Sequence, residues 1–315
     1  MSSAGFRPNG LSREVDRLAK PFSNSEQQPA FTLEEDGENY RVLLDAARRA
    51  ALEIVKSPSG VLTGAASYIH RASRELLAHV DESDGPTREP DGSIFQCLER
   101  VRDVWPDLAA GKIEGEQVFS GEPGLWKCAM TEWPMGTFAR MAADFMIDRG
   151  ALGGNVLELG AGVGSCSALV AAHVSRGFIR TDLQPFLLKR QKIAGTVERY
   201  DFNEPGRWRG LDTIFAVNAL HCARNKGATL RYLAEMLREG GLLVLGEGRP
   251  HTDDRGTPWA LNPFFGLFRG WWDIGGFVPR EEWVAAFEGA GFSNIGYAVR
   301  RADEHDLGGV IWGMK

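Results

Sequence analysis

The stretch "NVLELGAGVGSCSALVAAHV", residues 155–174, constrains the fold more than any other part of the chain. An apolar run from Val156 to Leu159, interrupted by Glu158, ends in three alternating glycines, Gly160, Gly162 and Gly164. Small residues suited to a helix follow. An apolar run closed by glycine predicts a buried strand, and glycines so spaced predict a tight turn whose backbone approaches a ligand. A helix starting at that turn aims its free N–H groups at the same place. Strand, turn and helix are the first unit of an open α/β sheet.

The spacing also narrows the ligand. Dinucleotide-binding turns read G-x-G-x-x-G and hold a pyrophosphate on the helix N-terminus. Here the pattern is G-x-G-x-G, and Ser165 follows. Glu158 stands two residues before the first glycine, where a carboxylate repels a pyrophosphate but attracts a cationic amine. The expected ligand is cationic and free of phosphate. S-adenosylmethionine (SAM), leaving as S-adenosylhomocysteine, fits that description.

The rest of the chain is organised around this unit. Residues 1 to about 30 are polar with scattered Pro, Gly and Ser, and are expected to be disordered or loosely docked. Helical spacing then recurs in 40–55, 64–80 and 93–111, with an exposed loop expected over 81–93, so residues 1–115 read as a helical unit without a strand. From 116 to 315 strands alternate with helices: 155–159, 178–182, 195–202, 212–220 and 241–248 read as strands. Right-handed crossovers make such a sheet parallel. The end differs, because "SNIGYAVRRA" and "GGVIWGMK" are two strands joined by the polar turn "DEHDLG", which closes the sheet with an antiparallel edge. The expected fold is a Rossmann-like α/β sheet, mostly parallel, with an N-terminal helical lid region.

A net charge of -6 and a pI near 5.6 argue against nucleic acid or an anionic membrane as partner. The most apolar late stretch, "LNPFFGLFRGWWDIGGFV", carries Arg269, Asp273 and four glycines and is no membrane span. No signal sequence opens the chain, and Cys97, Cys128, Cys166 and Cys222 show neither paired nor metal-ligand spacing. A reduced, cytoplasmic setting is expected, with no metal.

A parallel sheet with this antiparallel ending resembles the class I SAM-dependent methyltransferases over roughly residues 120–315. The stations that carry the resemblance are the Glu158–Gly164 turn, Asp182 at the end of the next strand, "YDF" at 200–202, "AVNALH" at 216–221 and the Gly-Gly strand at 240–247. Ligands of open α/β sheets lie beyond the carboxyl ends of the strands. There Asp182 can accept both ribose hydroxyls, although a helix N-cap beside Pro185 is the plainer reading. Asp201 can accept from the adenine amine while Phe202 packs on the ring. Asn218 ends the fourth strand, within reach of the methionyl part.

His221 follows one strand and Glu247 ends its neighbour, so imidazole and carboxylate can meet across adjacent strand ends, about 4.8 Å apart. A neutral His removes a proton near pH 7, and a carboxylate fixes its tautomer. The plain alternative makes His221 a helix cap and Glu247 a loop charge. The aromatic insertion at about 250–278 supplies Phe265, Trp271 and Trp272, and with Trp126 and Trp133 it reads as an apolar acceptor wall or lid. Ordinary packing explains the same residues.

The runs "FAVNALHCARNKGATLRYLAEMLREGGLLVLGE" and "FFGLFRGWWDIGGFVPREEWVAAFEGAGF", with the upstream "LERVRDVWPDLAAGKIEGEQVFSGEPG", are similar to the C-methyltransferase domains of polyketide synthases. That resemblance implies a His–Glu dyad, at His221 and Glu247, that deprotonates the α-carbon of a β-ketoacyl thioester for attack on the methyl group. The chain reads as a free-standing version, with a small-molecule or carrier-bound acyl substrate. O- or N-methylation of a small metabolite, and a SAM-binding cyclase or dehydratase that transfers no methyl, are the alternatives.

Overall fold

A computed structural model describes residues 31–32, 34–57, 60–80 and 91–315. The expectations for residues 1–30 and for most of the 81–93 loop lie outside the described residues. Central to the fold is an eight-stranded sheet of β1 (Phe31–Thr32), β2 (Asn155–Leu159), β3 (Gly177–Asp182), β4 (Thr196–Arg199), β5 (Leu211–Val217), β6 (Leu237–Gly248), β7 (Ser293–Ala302) and β8 (His305–Met314). Their spatial order is β1-β7-β8-β6-β5-β2-β3-β4, with β2 to β6 mutually parallel and β8 antiparallel to both β6 and β7. This is the mostly parallel sheet with an antiparallel ending that the sequence predicts.

Central strands covered on both faces are apolar throughout rather than alternating. In β5, Leu211 and the run from Thr213 to Ala216 are buried. One face packs on α5 (Met135–Asp148) and α6 (Ser165–Val170) through Ala139, Ala142, Val156, Phe215 and Val244. The other packs on α8 (Lys226–Met236) and α11 (Arg280–Gly289) through Leu157, Ile214, Leu245, Trp283 and Phe287.

A separate core joins α1 (Glu34–Lys56), α2 (Gly64–His79) and α3 (Ser93–Ala109) to the aromatic segment 259–277. Tyr40, Leu43, Ala47 and Ile54 line one face of α1, and Ile69, Ala72 and Leu76 one face of α2. The aromatic insertion is therefore covered by the helical region, and it contributes Trp259, Phe264, Phe265 and Trp271 to that core. Among the described residues no helix is long and apolar enough to cross a membrane.

Two boundaries differ from expectation. Phe31–Thr32 pairs in parallel with Arg300–Arg301, which places a strand where the sequence shows none; two residues are too short to carry a period. β8 begins at His305 instead of Gly308, and the hairpin turn shrinks to Asp303 and Glu304, with Asp303 at φ 53°. His305 and Asp306 look like loop residues by polarity, yet each is 8% exposed. Asp306 is paired with Arg249 and with Arg301, and those ion pairs allow it inside the sheet.

Candidate active site

The glycine turn lies at the carboxyl end of β2. Gly160, Gly162 and Gly164 have φ of 59°, 50° and 81°, the left-handed region that glycine enters at no steric cost. At Gly160 a Cβ would also fall 2.7 Å from the Cβ of Ala219, so glycine is required there twice over. The turn is tied to the neighbouring strand. Ala161 N donates to Thr181 O at 2.9 Å, and Gly162 N donates to Asp182 Oδ2 at 3.0 Å. The other oxygen of Asp182 accepts from Gln184 N at 2.8 Å, just before α7 (Pro185–Lys189). Asp182 thus braces the glycine turn at the end of its strand, and it is not among the cleft-lining residues.

Trp126, Met130, Glu158, Gly160, Gly162 and Asn218 line a cleft of about 130 Å³ over this turn. Asn218 has φ 50°, unusual for a residue with a side chain, and its N–H donates to Gly246 O at 2.8 Å. The strained backbone delivers the amide to the cleft, and its buried Oδ1 has no hydrogen-bond partner. An unmatched buried acceptor costs about 1–3 kcal/mol and calls for an N–H donor. Phe202 flanks the turn, its Cε1 3.9 Å from where a Gly160 Cβ would stand. Asp201 instead closes a local turn, accepting from Asn203 N at 2.9 Å and Asn203 Nδ2 at 2.8 Å, and it is not among the cleft-lining residues.

Glu158 is 3% exposed. It accepts from the Ser167 hydroxyl, and the Arg180 guanidinium lies 3.8 Å away. Arg180 Nε in turn donates to Ser167 Oγ at 3.1 Å, another Arg180 nitrogen donates to Gln191, and Gln191 Nε2 donates to Gly162 O at 2.8 Å. The glycine turn is therefore tethered through a buried polar chain back to its own strand. Burial pushes the Glu158 carboxyl up to about 7, against the pull of Ser167 and Arg180. Sequence reasoning found Glu158 but missed Ser167, Arg180 and Gln191. The signal was present, because an arginine inside the strand "FIRTD" needs a buried partner.

At the neighbouring strand ends, His221 Nδ1 donates to Glu247 Oε2 at 2.8 Å. His221 belongs to a short 3-10 turn, Leu220–Cys222, and the cap of α8 is Asn225, whose side chain accepts from Ala228 N at 2.9 Å. His221 is thus no helix cap. The second carboxylate oxygen, Glu247 Oε1, accepts from Ala219 N, Leu220 N and His221 N at 3.1, 2.9 and 3.3 Å. The acid holds the turn that carries the imidazole as well as the imidazole itself. His221 and Glu247 are 6% and 5% exposed. Burial pushes the imidazole pKa down, but the Glu247 carboxylate and Cys222 outweigh it and raise it to about 10.

The aromatic insertion closes over this pair. Trp271 and Phe277 meet the His221 ring edge to face, at 5.3 Å and 5.0 Å between centroids. Phe265 stacks on Trp271 at 4.6 Å. Trp126 joins the cofactor-side cleft to the insertion by packing on Phe264 and Phe268. Trp133 packs on the helical core and is not among the cleft-lining residues. The Trp272 side chain lies outside the described residues.

Comparisons with known proteins agree with this fold. No protein-family profile matches the chain. A non-reducing polyketide synthase, SAT8 of Stachybotrys chartarum, is 26% identical over 282 residues, covering 74% of this chain and 10% of that protein. This chain spans a tenth or less of the length of the first such relatives. Among solved structures, the trans-methyltransferase CalH in complex with SAH superposes with a TM-score of 0.67 at 15% identity, covering 89% of this chain and 91% of that one. The CurJ carbon methyltransferase superposes at 0.64 and 16% identity, covering 89% and 92%. The strand order, the glycine turn and these superpositions together establish that the chain has the class I SAM-dependent methyltransferase fold, in the form built by carbon-methyltransferase domains of polyketide synthases.

Proposed function

We propose that the chain is a SAM-dependent carbon methyltransferase whose acceptor is a β-ketoacyl thioester, free or carrier-bound. The observation that carries this reading is the buried 2.8 Å contact between His221 Nδ1 and Glu247 Oε2, one strand from the glycine cleft. The residues of the cleft fit the cofactor. Backbone at Gly160–Gly162, Glu158 and the unmatched Asn218 Oδ1 line the cleft, with Asp182 bracing the turn beside it, and suit a ligand with hydroxyl and ammonium donors and no phosphate. When bound, SAM supplies a methyl group already activated on a cationic sulfur.

The chain's own task is to align an acceptor and to manage its proton. Glu247 keeps the proton of His221 on Nδ1, which leaves Nε2 as the basic nitrogen. Nε2 takes the proton from the acidic carbon between the two carbonyls, and Glu247 stabilises the imidazolium that forms. The enolate carbon is then the nucleophile. Trp271, Phe277 and Phe265 exclude water around the base, which strengthens the ion pair and protects the enolate.

The polyketide synthase relatives support an acyl acceptor, and the named carbon methyltransferase neighbour supports transfer to carbon. Incubation with SAM carrying a labelled methyl and an acetoacetyl thioester tests the reading. Label on the acetoacetyl α-carbon is the expected result. Label on oxygen or nitrogen, or consumption of substrate with no gain of one methyl mass, sinks it.

A further inference from the structure

We infer that Tyr68, on α2, is a positioning residue for the base: it sets the orientation of His221 through Trp271. The inference rests on the proposed role of His221. The Tyr68 hydroxyl accepts from Trp271 Nε1 at 3.0 Å. Trp271 is 4% exposed, stacks on Phe265 with ring planes 23° apart, and meets Phe277 edge to face at 4.7 Å. Its ring then stands 71° to the plane of His221. A hydrogen bond from Nδ1 to Glu247 fixes one atom of the imidazole and leaves the ring free to tilt about that bond. Two aromatic contacts, from Trp271 and Phe277, remove that freedom.

The indole needs its own restraint, because the torsion that swings an aromatic ring is broad. Its N–H to Tyr68 supplies it. The phenol is in turn held by two neighbours. A Cβ at Gly266 would fall 2.6 Å from Tyr68 Cδ1, so insertion backbone lies directly on the ring, while the Arg71 guanidinium covers it at 5.2 Å. Burial raises the phenol's pKa, so it stays neutral and adds no charge to the site. The charged and titratable groups acting on His221 are Glu247 and Cys222, with Lys226 near both. Tyr68 acts on the base by geometry alone. The helical region thereby reaches the base through Trp271.

The test uses the full chain and two readouts. The first is exchange of the α-hydrogen of acetoacetyl-N-acetylcysteamine for deuterium in D2O, above the buffer rate, which reports the base without SAM. The second is steady-state methyl transfer. Tyr68→Phe removes only the hydroxyl, and Trp271→Phe removes the indole N–H while keeping an aromatic ring. Each is expected to slow both readouts about three- to tenfold, the scale of one neutral hydrogen bond, with the KM for SAM unchanged. The double variant is expected to lose no more than the worse single. Losses that multiply, or a lowered melting temperature with both rates intact, overturn the inference. If the wild-type chain neither exchanges nor transfers, the proposed function fails instead, and the two failures are told apart.

Discussion

Glu247→Gln isolates the electrostatic part of the dyad. The amide keeps an oxygen for the N–H groups of Ala219, Leu220 and His221, so the turn carrying the base survives. It replaces the charged oxygen facing Nδ1 with either a neutral oxygen or an NH2 group. At 2.8 Å a full ion pair attracts by roughly 6 kcal/mol at an effective dielectric of about 20. Burial opposes that attraction, and the balance raises the imidazole above 6.5 in the native chain. With that charge gone, burial's downward push is opposed by Cys222 alone, and the His221 pKa falls. The expected pH profile follows from the signs. In the wild type, activity rises with pH along a limb displaced well above 6.5, because the base works only when deprotonated. In Glu247→Gln that limb moves to lower pH, and the plateau is about 10²-fold lower, since a weaker base of unfixed tautomer remains. Initial rates between pH 6 and 10 with labelled SAM and an acetoacetyl thioester measure both quantities. A variant that keeps the wild-type limb and rate refutes the reasoning.

Four further outcomes follow from the same geometry. Glu247→Ala orphans three buried N–H groups that the amide would have kept, so it is expected to melt markedly below Glu247→Gln, each orphan costing about 1–3 kcal/mol; denaturant titration compares the two. His221→Ala is expected to lose about 10⁴-fold in turnover, the upper end of a general base's share, with SAM affinity by calorimetry nearly unchanged; loss of SAM binding would make His221 structural. Asp182→Ala is expected to weaken SAM binding about 10- to 100-fold, from the lost charged acceptor, with little change in the turnover of saturated enzyme. Arg180→Met leaves Glu158 buried beside Ser167 without its counter-charge, a loss of about 3–5 kcal/mol. Burial holds the Glu158 pKa at about 7 with Arg180 present and losing Arg180 raises it further, so this variant's deficit in thermal melts is expected to grow as pH rises above about 7.

The core of the fold was legible because period and punctuation are local. An apolar run closed by glycines marks β2, helical spacing marks α1 to α3, and two runs flanking a polar turn mark the β7–β8 hairpin. His221 and Glu247 were legible for a related reason, since both end predicted strands and a parallel sheet brings its strand ends to one edge. Where polarity misled, tertiary pairing had changed its meaning: His305 and Asp306 read as turn residues because nothing local reveals that Arg249 and Arg301 neutralise Asp306 within the sheet.

By itself the sequence determined the parallel sheet, the glycine turn and which imidazole and carboxylate share an edge, because backbone sterics and hydrophobic periodicity act over a few residues. Only the tertiary structure decided that Glu247 Oε1 grips three backbone N–H groups, that Arg180 is Glu158's counter-charge, and that Trp271 reaches Tyr68 across a sequence separation of 203. Those contacts join residues distant in the chain, and their energies depend on burial that no local window of sequence contains.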